Sequence, residues 1–182
     1  MCSSNRIRSQ VMIGAAAVAA VTLSDAAARA TVSGPPDGLS DAVGHWHPLL
    51  VHFPVALLLI AVVAEGLCVI RRDGRYADAA RFMVTAAAWL SIPTAVTGFL
   101  RADALTLDAA RQSLFAVHRI AGIATPVLAF LAAGLAEGTR RSGQVWEQML
   151  YRIVLLLAAV AAGVAGHYGG QLVFGAGFFR LW

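Results

Sequence analysis

The amino-acid sequence predicts an all-α integral membrane protein, a bundle of four transmembrane helices. Hydrophobic residues make up 59% of the chain and charged residues 13%, whereas globular proteins carry about 25% charged residues. Four long apolar segments separate most of the remaining charges. This composition excludes a disordered chain and argues against a water-soluble fold. The net charge of +4 does not indicate a nucleic-acid surface, because the arginines lie between apolar segments rather than in one patch.

Residues 1–30 have the features of an export signal, which we expect to be cleaved. Arg6 and Arg8 form a basic start, residues 11–23 an apolar core, and the small-x-small end is the pattern that signal peptidase recognises. An uncleaved N-terminal anchor is the alternative, and both place the following residues on the outer side of a membrane. Residues 31–48 are then a short leader on that side, rich in turn-forming residues.

Four apolar segments are each long enough to cross a bilayer as a helix, which takes about 20 residues. They are residues 49–70, 80–100, 113–135 and 150–172. Their length and their alanine, leucine and valine content favour helices over the shorter, alternating strands of a barrel. We therefore expect a four-helix transmembrane domain over residues 49–175, in contact with the lipid bilayer, and a short outer tail over residues 176–182.

The arginines predict the orientation of these helices. Arg71, Arg72 and Arg75 follow the first segment, and Arg140 and Arg141 follow the third. Because arginine is enriched in cytoplasmic loops, these two connections should face the cytoplasm. The mature N-terminus, the second connection and the C-terminus then face outward, which agrees with the export signal. The expected location is the inner membrane of a bacterium, crossed several times.

The histidines all fall near the predicted outer side of the bundle. His45, His47 and His52 lie at the start of the first segment, His118 near the start of the third, and His167 near the end of the fourth. Ionisable residues inside a membrane span are costly and usually face the bundle interior or water. Histidines from three different helices at one depth are therefore candidates for a functional site.

Imidazoles that converge from different helices are the axial ligands of a b-type haem. A flat macrocycle also needs helix surfaces without bulk, and its propionates need cations. Candidates for these roles at the same end of the bundle are Gly98, Gly122, Gly163, Gly170, Arg101 and Arg119. We favour His118 and His167 as the axial ligands of the iron, with His52 as the alternate ligand and His47 as a substitute.

Two other interpretations of these residues remain open. Imidazole also binds zinc and copper, so the histidines could form a transition-metal site, although no cysteine lies on that side. Alternatively, each histidine is an ordinary interfacial residue and the bundle holds no cofactor. The glycines agree with this second interpretation too, since they follow the small-x-x-x-small pattern of helix packing.

Several motifs together resemble one family. They are residues 47–58 (HPLLVHFPVALL), Thr97-Gly98, His118 and residues 169–174 (GGQLVF). This set is similar to a bacterial membrane-protein family known only as domain of unknown function 2231, and the similarity covers roughly residues 46–178. The resemblance implies a four-helix membrane domain whose relatives are often encoded near, or fused to, c-type cytochrome or Rieske-type modules. Arg101 and Asp103 depart from the acidic residue expected soon after Thr97-Gly98.

These observations lead us to expect an electron-transfer or accessory subunit rather than an enzyme. It would relay electrons between the quinone pool and an external carrier such as a c-type cytochrome or Rieske-type protein. The alternative is a non-redox membrane module, either an assembly partner or a transition-metal site or transporter. Transporters more often contain internal repeats, and the sequence shows no convincing repeat. No nucleophile elbow, phosphate loop or His-Glu-x-x-His motif is present.

Overall fold

The computed structural model describes residues 38–103, 107 and 109–175 of the chain. Its helices are α1 (Gly38–Gly44), α2 (His47–Leu50), α3 (His52–Arg71), α4 (Gly74–Asp103), α5 (Ala109–Ser142) and α6 (Val145–Phe174). No strand occurs within these ranges. The predicted export signal, the first part of the leader and the predicted tail at residues 176–182 lie outside the described residues.

Four helical stretches are long and apolar enough to cross a membrane, by length and composition. They are the continuous run from α1 through α3, and then α4, α5 and α6. Large apolar side chains such as Ile60 and Leu156 are exposed on the outside of the bundle, which is the pattern of a lipid-facing surface. The predicted all-α four-helix membrane bundle is thus confirmed. Each of these four helical stretches is longer than its predicted apolar segment, because the polar residues at its ends continue the same helical hydrogen bonding.

The bundle consists of two antiparallel hairpins whose core is built mainly from alanine. Helices α3 and α4 form the first hairpin, α5 and α6 form the second, and α3 also packs on α6 and α4 on α5. Thirteen of the eighteen buried apolar residues are alanine. Small side chains let helix backbones approach closely, which strengthens packing where lipid removes the hydrophobic driving force.

The two hairpins repeat the same structure at an offset of 71 residues. The first helix of each ends at Arg71 or Ser142, and the second helix begins at residue 74 or 145. The turn between them contains one left-handed residue in each case, Arg72 with φ 55° and Gly143 with φ 65°. The length of the turn and the position of its left-handed residue therefore recur.

Buried positions recur at the same offset. Pairs 71 residues apart that are both buried include Leu58 and Ala129, Ala61 and Ala132, Val84 and Leu155, Ala87 and Ala158, and Ala88 and Ala159. Each hairpin consequently presents the same helix faces to the core. The sequence shows no convincing repeat, but the structure contains one. The repeat is not visible in the sequence because most positions 71 residues apart share only an apolar character. Any two membrane helices share that property.

One buried ion pair joins the two hairpins at the end of the bundle that carries the turns. Arg152 Nε on α6 donates to Glu65 Oε2 on α3 over 3.0 Å, and Glu65 is 5% exposed. The neighbouring Tyr151 is buried, and its hydroxyl has no hydrogen-bond partner among the described residues. The repeat partners of Glu65 and Tyr151 are both alanines, Ala136 and Ala80. This polar contact therefore occurs between α3 and α6 and not at the equivalent contact between α4 and α5.

Candidate functional site

His47 and His118 lie next to each other at the end of the bundle opposite the two turns. Their ring centroids are 6.2 Å apart and their planes are nearly perpendicular, at 82°. His47 is the first residue of α2, which leads into the first hairpin, and His118 lies in the first part of α5 in the second. Both side chains are half-buried. Each hairpin therefore contributes one imidazole to a single site.

The imidazole of His47 is fixed against the backbone of α4. Its Nδ1 lies 2.9 Å from the carbonyl oxygen of Thr94, within hydrogen-bonding distance. Gly98 lies four residues further along α4, and a Cβ there would stand only 2.8 Å from Cε1 of His47, where ordinary contacts start at 3.4 Å. The ring can reach the Thr94 carbonyl because residue 98 has no side chain.

The imidazole of His118 is fixed in the same way against α6. Its Nδ1 lies 2.8 Å from the carbonyl oxygen of Ala165. A Cβ at Gly169, again four residues further along the helix, would stand 3.0 Å from Cε1 of His118. The histidine, the carbonyl and the glycine each lie 71 positions after their counterparts in the first hairpin. The same local construction is therefore present twice, once per hairpin.

These hydrogen bonds determine which ring nitrogen is available to a ligand. A carbonyl oxygen only accepts hydrogen bonds, so Nδ1 of His47 and Nδ1 of His118 must each carry a proton to donate. In a neutral imidazole the other nitrogen, Nε2, then keeps its lone pair. Histidines that bind metals are typically held in this way, with the second nitrogen donating to a carbonyl or carboxylate. Both rings are therefore prepared to act as ligands through Nε2.

The structure does not bring His118 and His167 together as the favoured axial pair. His167 is exposed, its ring packs edge-on against Tyr168 with centroids 5.4 Å apart, and its Nε2 lies 2.7 Å from Nε2 of Gln171. It lies two residues after Ala165, a rotation of about 200° around a helix of 3.6 residues per turn. His167 thus points away from the carbonyl that holds His118. His52, the alternate ligand, is also exposed.

Of the glycines selected from the sequence, Gly98 contacts a histidine ring. A Cβ at Gly122 or Gly163 would meet open space, and Gly170 is half-buried. The glycine beside His118 is Gly169, which was not selected as a site residue from the sequence, although its neighbour Gly170 was. The spacing could have identified it, since both histidines are followed by a glycine 51 positions later.

The two candidate arginines lie at the same end of the bundle as the histidine pair. Arg101 is half-buried on α4, and its Nη1 lies 3.3 Å from Nε2 of His45. Gly44, at the end of α1, is buried against the backbone of Arg101, which brings α1 onto this end of the bundle. Arg119 is half-buried and follows His118 directly in α5. Two guanidinium groups therefore lie at the same end of the bundle as the imidazoles.

The number of ligands limits what the pair can hold. Within residues 38–103, 107 and 109–175 there is no group of three or more histidine, cysteine, aspartate or glutamate side chains placed to hold a metal ion. Zinc in proteins takes four ligands, of which the protein supplies three or four. The iron of a haem already has four nitrogen ligands from the macrocycle, so the protein needs to supply only two more. The donor set of His47 and His118 fits the second requirement.

A comparison with known families identifies the chain. The family described as "Predicted membrane protein (DUF2231)" matches residues 44–179, about three quarters of the chain. The chain belongs to this family. The resemblance inferred from the sequence motifs is thereby confirmed. No significant match was found among curated proteins or among solved structures.

The four motifs that suggested DUF2231 membership meet at the histidine pair. The first motif supplies His47, the second supplies Gly98, the third is His118, and the fourth supplies Gly169. These segments are far apart in the sequence and lie on α2, α4, α5 and α6. In this DUF2231 protein they build one site, in which every histidine is matched with one glycine.

Proposed function

We propose that this protein is a membrane electron-transfer subunit in which His47 and His118 are the axial ligands of one b-type haem. The observation that carries the proposal is the pair itself, two half-buried imidazoles from different hairpins whose Nδ1 atoms are both bonded to backbone carbonyls. The proposal places His47 in the position for which the sequence had favoured His167.

The spacing of the rings supports two ligands to one ion. Two metal–nitrogen bonds of about 2.0 Å each, plus the distance from each nitrogen to its ring centre, give a centroid separation of ~6 Å for ligands on opposite sides. The observed separation is 6.2 Å. The two rings would therefore be able to hold one ion between them.

The surrounding residues would hold the two imidazoles in place around a bound haem. A bound haem would supply the one-electron chemistry, and the protein would set its potential through ligand identity and burial. The carbonyls of Thr94 and Ala165 hold both rings in one tautomer, so neither ring has to reorient. Arg101 and Arg119 provide positive charge at the same end of the bundle, where it could neutralise propionates.

The arginine distribution supports an outer location for the histidine pair. The ends of α3 and α5 carry adjacent arginines, so we propose that this end of the bundle faces the cytoplasm across a bacterial inner membrane. The histidine pair is then near the outer face. We propose quinone as the electron source and an external carrier, such as a c-type cytochrome or Rieske-type protein, as the acceptor.

Purified protein from haem-replete cells tests this proposal. We expect a Soret band, an α-band in the reduced-minus-oxidised spectrum, and one haem per chain. His47→Ala and His118→Ala should each abolish the low-spin spectrum, whereas the exposed His52→Ala and His167→Ala serve as matched controls and should retain it. A colourless preparation would overturn the haem, and loss in His167→Ala but not in His47→Ala would overturn the ligand assignment.

The internal repeat favours a second candidate, a transition-metal transporter. Some transporter families consist of two parallel repeats that bind their substrate at the interface between the repeats. Here the two hairpins run parallel to each other and their imidazoles meet at that interface. Metal analysis of the same preparation separates the two functions, since a transporter site would contain copper or zinc that the His47→Ala and His118→Ala variants lose, and no haem.

A further inference from the structure

Two adjacent arginines at the turn end of the bundle have no partner among the described residues. Of the ten arginines in the described part of the chain, eight make an ion pair, a hydrogen bond or another interaction with a neighbouring group. Arg71 and Arg72 are the exceptions within those residues, and both are exposed. Nearby acids are already engaged, because Asp73 is paired with Arg75 over 2.8 Å and Asp78 with Arg81 over 2.7 Å.

The free arginines directly follow an apolar surface. Arg71 is the last residue of α3, and the two residues before it, Val69 and Ile70, are 53% and 76% exposed. In a membrane-spanning helix such side chains contact acyl chains, and the residues that follow lie at the level of the lipid headgroups. The lipid-facing surface formed by Val69 and Ile70 thus lies next to the positive charges of Arg71 and Arg72.

The repeat shows that the fold does not require these charges. The second hairpin makes the same turn with Ser142 and Gly143 in place of Arg71 and Arg72. Gly143 is the residue that a left-handed conformation favours, whereas Arg72 adopts φ 55° with a full side chain. The first turn therefore keeps an arginine where glycine would fold more easily.

We propose that Arg71 and Arg72 form a binding site for the phosphate group of an anionic phospholipid, with its acyl chains on Val69 and Ile70. Guanidinium groups bind phosphate oxygens through paired, charge-assisted hydrogen bonds. Juxtamembrane basic residues attract anionic lipid by the same electrostatics. A lipid is favoured over free phosphate because the site continues onto the exposed apolar surface of α3. The proposal does not depend on what His47 and His118 bind.

The test uses the full-length chain reconstituted into nanodiscs of phosphatidylcholine containing one fifth phosphatidylglycerol. Native mass spectrometry after release into detergent counts the phosphatidylglycerol molecules that remain bound. We expect the wild type to retain phosphatidylglycerol preferentially, and Arg71→Ala/Arg72→Ala to lose that preference several-fold. Arg75→Ala is the matched control, because it removes one positive charge at the start of α4, beside the same turn, and Asp73 already neutralises that charge. It should retain the wild-type preference.

A second variant separates lipid binding from folding. Arg72→Gly introduces the residue that the second turn uses, so it should unfold at the same or a higher denaturant concentration while retaining less phosphatidylglycerol. Retention equal to the wild type in Arg71→Ala/Arg72→Ala, or an equal loss in Arg75→Ala, would overturn the proposal. So would release of the bound lipid by millimolar inorganic phosphate, which would identify a phosphate site rather than a lipid site, or lower stability of Arg72→Gly, which would give Arg72 a structural role.

Discussion

Replacing Gly98 with alanine should displace the His47 ring and weaken whatever the histidine pair holds. The added Cβ would lie 2.8 Å from Cε1 of His47, so the ring has to withdraw by about 0.6 Å to reach the 3.4 Å at which ordinary contacts begin. Because the neighbouring atom belongs to a ring held by the Thr94 carbonyl, this movement strains the 2.9 Å hydrogen bond.

The magnitude follows from two costs. Overpacking a filled site typically costs about 1–3 kcal/mol, and a lost hydrogen bond contributes about 0.5–1.5 kcal/mol. We expect Gly98→Ala to lower the free energy of unfolding by about 1–3 kcal/mol, since the strain is relieved by weakening the bond. If the pair binds a metal or haem, affinity should fall by about 10–100-fold, as for other residues that orient a ligand. Gly169→Ala should have a smaller effect, because its Cβ would stand 3.0 Å from His118.

Unfolding in mixed micelles, followed by circular dichroism, measures the stability, and titration of the bound group measures the affinity. Gly163→Ala and Gly122→Ala are the controls, because a Cβ at either position meets no atom within 4 Å. Alanine is also favoured over glycine inside a helix by up to about 1 kcal/mol, so these controls should be neutral or stabilising. A Gly98→Ala protein as stable and as fully loaded as Gly163→Ala would refute the close fit between glycine and imidazole.

Three further predictions concern groups away from the histidines. Glu65→Ala should lower the free energy of unfolding by about 2–4 kcal/mol, because it leaves Arg152 without its carboxylate. In a double-mutant cycle, the variant that carries both Glu65→Ala and Arg152→Ala should recover part of this loss. Tyr151→Phe should be neutral or stabilising in the same unfolding assay, because the hydroxyl that it removes has no hydrogen-bond partner among the described residues; a clear loss of stability would show that this hydroxyl is bonded. The side-chain and backbone hydrogen bonds from Arg75 hold the pKa of Asp73 below its usual range. The Asp73–Arg75 ion pair therefore stabilises the protein above about pH 4, and this stabilisation is lost as the pH falls through the lower pKa that Asp73 has in the folded state. The free energies of unfolding of wild type and Arg75→Ala should differ near neutrality and become equal in acid.

The bundle was predictable because its signals are local. Each apolar segment is long enough to span a bilayer, and no other backbone arrangement satisfies its hydrogen bonds there as simply. The depth of the histidines was predictable for the same reason, since depth depends only on distance from the end of a helix. His47 and His118 do meet at the end of the bundle where the sequence placed them.

The rotation of each helix was not predictable from its composition. Whether His118 faces His47 or His167 depends on which side of α6 packs against α5, and residues 153–166 of α6 are apolar or small on every side. The decisive information was long-range, in the equal spacing of His47 and Gly98 and of His118 and Gly169. The equal spacing indicates a shared site only when it is known which helices pack together and in which register. A single sequence does not show this.

The internal repeat explains why the two histidines come to the same end of the bundle. A unit of two spans returns the chain to the side of the membrane on which it began. A second copy placed after it therefore inserts in the same direction, and the starts of α3 and α5 lie at one end. Had the repeated unit contained an odd number of spans, the second copy would have been inverted and its histidine placed at the opposite face. The two histidines can thus meet only because the repeated unit contains an even number of spans. Contacts between their side chains matter only after that condition is met.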